Sequence, residues 1–280
     1  MNVLISGAGI AGPTLAFWLE KYGFAPTLVE TAPALRASGY VIDFWGLGYD
    51  IAEKMGLLPD IARIGYHMQE LRIVDDCGRR LSGFGVQVFR ELTGGRYITL
   101  GRSDLSKLIY DRISGSCEII FGDSITSLRE THGAVRVEFE HGGERRFDLI
   151  IGADGLHSRV RKLVFGAQDR YEKDLGYRVA AFETTGYRPR DELVYIIHGA
   201  PGRQVGRFTL HTIARCSCSY SMAEPSRWRM MSRPKRKSCA RRSRATAGRC
   251  PESSRRSMLA MTSTSIGSVK SAWMLGREGA

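Results

Sequence analysis

Residues 2–30 read NVLISGAGIAGPTLAFWLEKYGFAPTLVE, and this stretch decides the fold. Asn2–Ser6 is a short apolar run stopped by Gly7, the pattern of a strand buried on both faces. From Gly12 to Tyr22 apolar residues recur at helical spacing (Leu15, Ala16, Leu19, Tyr22), and Gly23 supplies a stop. Thr27–Glu30 is a second buried strand. Strand, turn, helix and strand in that order predict a βαβ unit of a parallel sheet with a right-handed crossover.

The turn is Gly7-Ala8-Gly9-Ile10-Ala11-Gly12, a GxGxxG sequence between strand and helix. Gly7 allows the tight turn, Gly9 lets a diphosphate approach the backbone, and Gly12 lets helix and strand pack closely. Ile10 and Ala11 open the helix, whose free N–H groups and partial positive charge suit phosphate. Glu30, ending the second strand, is placed to accept hydrogen bonds from ribose hydroxyls, and its charge disfavours a 2′-phosphate. The motif predicts a bound dinucleotide without saying which.

Further along, Gly48–Met55 reads as a helix, and Leu71–Val74 and Val86–Arg90 alternate as antiparallel strands. A helix follows over Ser103–Ile113, with Ser103 as N-cap. Short strands are expected near Glu118–Phe121, Ala134–Glu140 and Asp148–Ile151. Val179–Thr184, Leu193–His198 and Val205–Leu210 then open an antiparallel sheet. The expected fold is α/β: a Rossmann-like domain over 1–165 with a β-strand insertion around 68–98, then the start of a substrate-binding domain over 166–211.

After His211 the pattern stops. The chain has 280 residues and a formal net charge of +12. Residues 1–211 hold 26 Lys and Arg against 26 Asp and Glu, so the whole excess lies in 212–280. That stretch has no Asp and four of the six cysteines. Its cysteines (Cys216, Cys218, Cys239, Cys250) lack the spacing of a structural zinc site. A basic tail suggests nucleic acid, but Trp228 and Trp273 stand alone and no interleaved aromatic residues support it. No nucleic-acid partner and no metal are expected. Cys77 and Cys117 are too few for a disulfide framework and fit a reducing cytoplasm. No signal peptide is read, and no run of about 18 apolar residues predicts a membrane span.

Asp148–Arg161 reads DLIIGADGLHSRVR, a strand, a Gly152-Ala153-Asp154-Gly155 turn and a helix start. Here the chain resembles the FAD-dependent aromatic-ring hydroxylases, the group A flavoprotein monooxygenases, whose second fingerprint is GADGxxSxVR. The resemblance implies that Asp154 helps hold FAD and the region that handles NAD(P)H. It implies that Arg102, in Gly101-Arg102-Ser103-Asp104-Leu105, contacts FAD. A guanidinium suits a diphosphate through its planar fork of donors. Arg36 and Asp43 resemble an Arg and Asp of tetracycline-inactivating monooxygenases at the same separation, where the Asp binds FAD and the Arg lies near the nicotinamide. The implied chemistry is reduction of FAD by NAD(P)H and hydroxylation, with O2, of a small aromatic or polycyclic substrate. Simple oxidation or reduction by a halogenase- or reductase-like relative is the alternative. The oligomeric state is not readable.

The family's third fingerprint, a GDAAH-type motif, is missing, and the resemblance ends at about residue 211. One cause explains both the missing motif and the odd tail: a change of reading frame near His211. Codons for Thr212–Met222, read one frame over, permit DRTLFVFVFD, an alternating strand that continues RFTLH. Met261-Thr262 and Trp273-Met274 each force an Asp in that frame. Residues 212–280 are therefore expected to be an irregular tail without a packed core, and the chain to be impaired.

Overall fold

The computed structural model describes residues 1–36, 40–184, 192–209 and 216–223, with 182–184 and 216–223 given by backbone alone. In chain order the elements are β1 (Asn2–Ser6), α1 (Ala11–Lys21), β2 (Ala25–Glu30), β3 (Val41–Trp45), α2 (Leu47–Lys54) and α3 (Leu58–Ile64). Then come β4 (Glu70–Val74), β5 (Arg80–Gly85), α4 (Gln87–Thr93), β6 (Tyr97–Gly101), α5 (Arg102–Ile113) and β7 (Glu118–Phe121). The chain continues through β8 (Ile125–Thr131), β9 (Ala134–Phe139), β10 (Glu144–Phe147), β11 (Leu149–Gly152) and α6 (Arg159–Phe165). Four strands close the series: β12 (Tyr177–Thr184), β13 (Val194–Ala200), β14 (Arg203–Thr209) and β15 (Cys216–Ala223).

The opening βαβ unit forms as expected. β1 is central in an all-parallel sheet of order β11-β1-β2-β7, with Ile5 beside Leu28 and Ile151. Side chains alternate across a strand, so β1 serves two cores. Val3 and Ile5 pack with Ala16 of α1 and Ile113 of α5. Leu4 points the other way, to Val137 and Phe139 of β9, Phe147 of β10 and Val160 of α6. Both layers exclude water from the parallel strands, which accounts for their continuous apolar sequence.

A second sheet runs β12-β15-β14-β13-β4-β5, with β4 and β13 parallel and every other pair antiparallel. β4 and β5 thus join this sheet through the β4–β13 pair. β3 and β6 form a separate two-stranded ribbon, and Tyr97 of β6 packs with Tyr66, Met68 and Phe208 of β14. No helix of the described residues is long and apolar enough to cross a membrane.

Three local expectations change. Val86–Arg90, read as a strand, is largely helix α4: Val86 and Phe89 stand one turn apart, and Phe89 stacks on Tyr97 with centroids 5.4 Å apart. Gly94 ends that helix in the left-handed region, with φ 60°. Ser103 is not the N-cap of α5; the helix starts at Arg102, and Gly101, two residues before Ser103, is its N-cap. Asp104 folds back into the space that a side chain at Gly101 would occupy. Finally, Cys216–Ala223, expected within an irregular tail, lies between β12 and β14 as a paired strand. Backbone pairing needs no particular side chains, and the slot between two antiparallel neighbours satisfies both edges. Residues 224–280 lie outside the described residues.

Candidate functional site

The GxGxxG turn sits at the carboxyl ends of β1 and β2, where parallel sheets bind ligands. Gly7 has φ +108°, and a Cβ there would lie 2.6 Å from the carbonyl oxygen of Ala153 and 2.9 Å from Cα of Asp154. The first and second motifs therefore touch, and only glycine permits it. A Cβ on Gly12 would be driven into the Gly7 carbonyl oxygen. Gly9 differs: the nearest atom to its Cβ position is Nη2 of Arg102, at 3.8 Å. Two glycines shape the loop and the third leaves its surface open.

Helix α1 begins without a side-chain cap and without an acidic residue in its first turn. Among the described residues the amides of Gly9, Ile10, Ala11 and Gly12 have no hydrogen-bond partner. Four donors thus stand together at the positive end of a helix. Half-buried Arg102 stands over it without a carboxylate partner among the described residues. An arginine in the first turn of α5 opposes that helix's dipole, so its placement answers to something other than the stability of α5. Ser106, one turn on, donates to the Gly9 carbonyl at 3.2 Å and fixes the loop from the same side. Its spacing from Arg102 is the signal that would have found it.

Glu30 holds the loop from below. Its Oε2 accepts from the Ala8 amide at 2.8 Å and its Oε1 from the Ala32 amide at 3.0 Å. Each oxygen keeps a lone pair for a further donor. Asp154 Oδ2 accepts from the amides of Arg159 (2.8 Å) and Val160 (3.1 Å) and from the Ser6 hydroxyl (3.4 Å). Ser158 caps the same helix through the Arg161 amide at 3.0 Å. Asp154 Oδ1 is buried with no partner among the described residues. Leaving such an atom unpaired is costly, which makes it a place where a ligand donor is missing.

Asp43 is elsewhere. It lies on β3 opposite Thr99, and its Oδ1 accepts from the Tyr97 hydroxyl at 2.7 Å and the Thr99 hydroxyl at 2.8 Å. Burial pushes the Tyr97 phenol well above its ordinary pKa; the Thr99 bond opposes this and Asp43 adds to it. A cavity of about 140 Å³ adjoins, lined by Asp43 and Thr99 together with Met68, Phe89, Tyr195 and Phe208. Tyr97 and Thr99 were not foreseen, because register between strands is not written in one sequence. Arg36 is exposed just before residues 37–39, and no contact joins it to the other candidates among the described residues. A larger groove, about 480 Å³, opens at the opposite ends of the parallel strands. Two of its charges answer one another: Arg145 pairs with Glu118 at 2.7 Å and holds that carboxyl below its usual pKa.

Residues 1–275 match the family described as FAD binding domain. The chain belongs to that family. The match runs past residue 211, where the resemblance read from motifs ends. An uncharacterized protein of Mycobacterium tuberculosis is 40% identical over 198 residues, covering 68% of this chain and 51% of that protein. A flavin-dependent monooxygenase of an unknown prokaryotic organism is 35% identical over 192 residues, covering 68% and 49%. Among solved structures, tetracycline destructase Tet(55) superposes with a TM-score of 0.68 at 29% identity, over 79% of this chain and 56% of that one. This FAD binding domain chain thus spans about half the length of the relatives it matches.

The residues present suit FAD. A diphosphate supplies two anionic groups for the free α1 amides and Arg102, and a ribose supplies donors for Glu30. The unpaired Asp154 oxygen lies behind the same loop and requires a donor.

Proposed function

We propose that the chain holds FAD with its diphosphate on the Gly9–Gly12 amides under Arg102, and its adenosine ribose on Glu30. Asp154 then receives a donor at its unpaired oxygen, and Arg36 and Asp43 lie toward the nicotinamide and flavin ends. The observation that carries this reading is the row of partnerless amides at the uncapped start of α1, faced by an unneutralised guanidinium. FAD, when bound, supplies the redox chemistry. The chain's part is to bind and orient it and to keep water from the reacting face.

The activity proposed for the whole protein is FAD-dependent monooxygenation, in which NAD(P)H and O2 hydroxylate a small aromatic molecule. The printed names of relatives over half their length support the class. The test is purification followed by an absorption spectrum, then NAD(P)H and O2 consumption with and without candidate aromatic compounds. A yellow protein with substrate-stimulated, coupled consumption fits. A flavoprotein that oxidises NAD(P)H without incorporating oxygen places it with reductases, and a colourless protein that takes up no FAD overturns the reading. The third fingerprint is missing from this chain, so weak FAD retention and impaired turnover are expected, and we attribute the loss to a frame change near His211.

A further inference from the structure

The groove at the amino-terminal ends of β1 and β2 is lined by two acids and two arginines, and only one pair of them meets. Glu118 is fully engaged: it accepts from both terminal nitrogens of Arg145, at 2.9 and 2.7 Å, and from the Thr27 hydroxyl at 3.1 Å. Glu20 and Arg146 line the same groove, yet neither has an oppositely charged partner among the described residues. The Glu20 carboxylate accepts from the Ser116 hydroxyl at 2.9 Å through Oε2, and its other oxygen has no donor among the described residues.

Neither charge sits where its own element favours it. Glu20 lies in the last turn of α1, where the helix dipole disfavours an anion and favours a cation. Arg146 stands directly opposite Arg136 in the β9–β10 ladder, and Arg136 stands opposite Arg129 of β8, so like charges face one another across three strands. Glu144, 3.4 Å from Arg136, answers only the middle of that row. Burial, and after it Glu20, push the thiol of Cys117 up to about 12, so that side chain stays neutral between Ser116 and Glu118. The groove encloses about 480 Å³, roughly three times the volume of an engineered cavity that takes up benzene. That lies within the range of small-molecule sites.

We propose that this groove binds a small zwitterion of dipeptide size, with its ammonium on Glu20, its carboxylate on Arg146 and a side chain against Phe24 and Pro26. Each end of such a ligand supplies what its host lacks: a cation for the carboxyl end of α1, and an anion for the row of arginines. The site lies at the opposite end of the parallel strands from the GxGxxG turn, so it stands independently of the flavin reading.

The test is calorimetric titration of the purified full chain with glycylphenylalanine, its N-acetyl derivative and its C-terminal amide. Blocking either end is expected to weaken binding about tenfold, the worth of one charge-assisted hydrogen bond. Glu20→Gln should abolish the penalty for the acetyl block and keep that for the amide, and Arg146→Gln should do the reverse. Arg129→Gln removes the same charge two strands away and should leave all three affinities as in wild type. Saturating FAD should leave the Kd of glycylphenylalanine unchanged. The blocked peptides test the wild-type protein directly, whatever the stability of the variants. No binding of glycylphenylalanine at millimolar concentration, equal binding of the three peptides, or competition with FAD overturns the proposal. So does an uncrossed pattern in the two variants, or an Arg129→Gln protein that loses as much as Arg146→Gln.

Discussion

Replacing Gly9 by Ala separates binding from folding. Gly9 is not among the positive-φ glycines, and a Cβ there meets nothing nearer than the Arg102 guanidinium at 3.8 Å. The fold should lose no more than about 0.5 kcal/mol, as for an ordinary surface change. A diphosphate approaching the loop, however, meets a methyl group where the backbone was bare. Losing one charge-assisted hydrogen bond costs about 1.5–3 kcal/mol. That predicts a Kd for FAD raised by about 10- to 150-fold. The control is Gly12→Ala, whose methyl group runs into the Gly7 carbonyl and must push α1 off the sheet. Its folding stability should drop by the roughly 1–3 kcal/mol typical of forced overpacking, seen as a clearly lower thermal midpoint. The assay pairs thermal unfolding without flavin with titration of FAD followed by its fluorescence. A Gly9→Ala protein that binds FAD within about threefold of wild type refutes a diphosphate on this loop.

Arg102→Gln should weaken FAD binding and flatten its salt dependence, since the lost group is the cation over the loop. Because Arg102 opposes the α5 dipole, the same change should leave stability equal or slightly higher, readable in one thermal melt; a large destabilisation contradicts this. Asp123 offers a pH test. Burial, the largest single influence, pushes its carboxyl up, but amide donation from Ser124 (2.7 Å), His141 (3.1 Å) and Gly142 (2.8 Å) outweighs it and leaves the pKa lowered. A lowered folded pKa gives stability that is present above the unfolded value of about 3.9 and is lost as pH falls through the folded one. The stability gap between wild type and Asp123→Asn should therefore shrink on acidification from about pH 5 to pH 3, and a constant gap contradicts it. The nucleotide sequence of the gene tests the frame change: restoring the frame near codon 212 should reveal a GDAAH-type motif downstream.

The opening unit was legible because three independent signals agreed within residues 2–30: apolar runs of strand length, a helical period and glycines where the turn needs them. Glycine positions also carried the site, since Gly7 and Gly12 are fixed by contacts no other residue allows. What the sequence withheld depends on pairing between distant segments. The β4–β13 contact joins residues more than a hundred positions apart, and nothing local specifies it. The same holds for the Asp43–Thr99 register, which turns a motif residue into the wall of a cavity. Helix α4 was misread because a five-residue window holding Val86, Val88 and Phe89 fits both a strand and one helical turn. The strand at Cys216–Ala223 does carry a period-2 pattern, with Cys216, Cys218, Tyr220 and Met222 alternating with Ser217, Ser219 and Ser221, but it sits in a stretch whose basic, acid-poor composition reads as an irregular tail.

The most direct measurement is a crystal structure of the chain with FAD. The account predicts diphosphate oxygens within hydrogen-bonding distance of the amides that start α1 and of Arg102, and ribose hydroxyls on Glu30. A diphosphate bound elsewhere, or a loop that stays bare at saturating FAD, contradicts it.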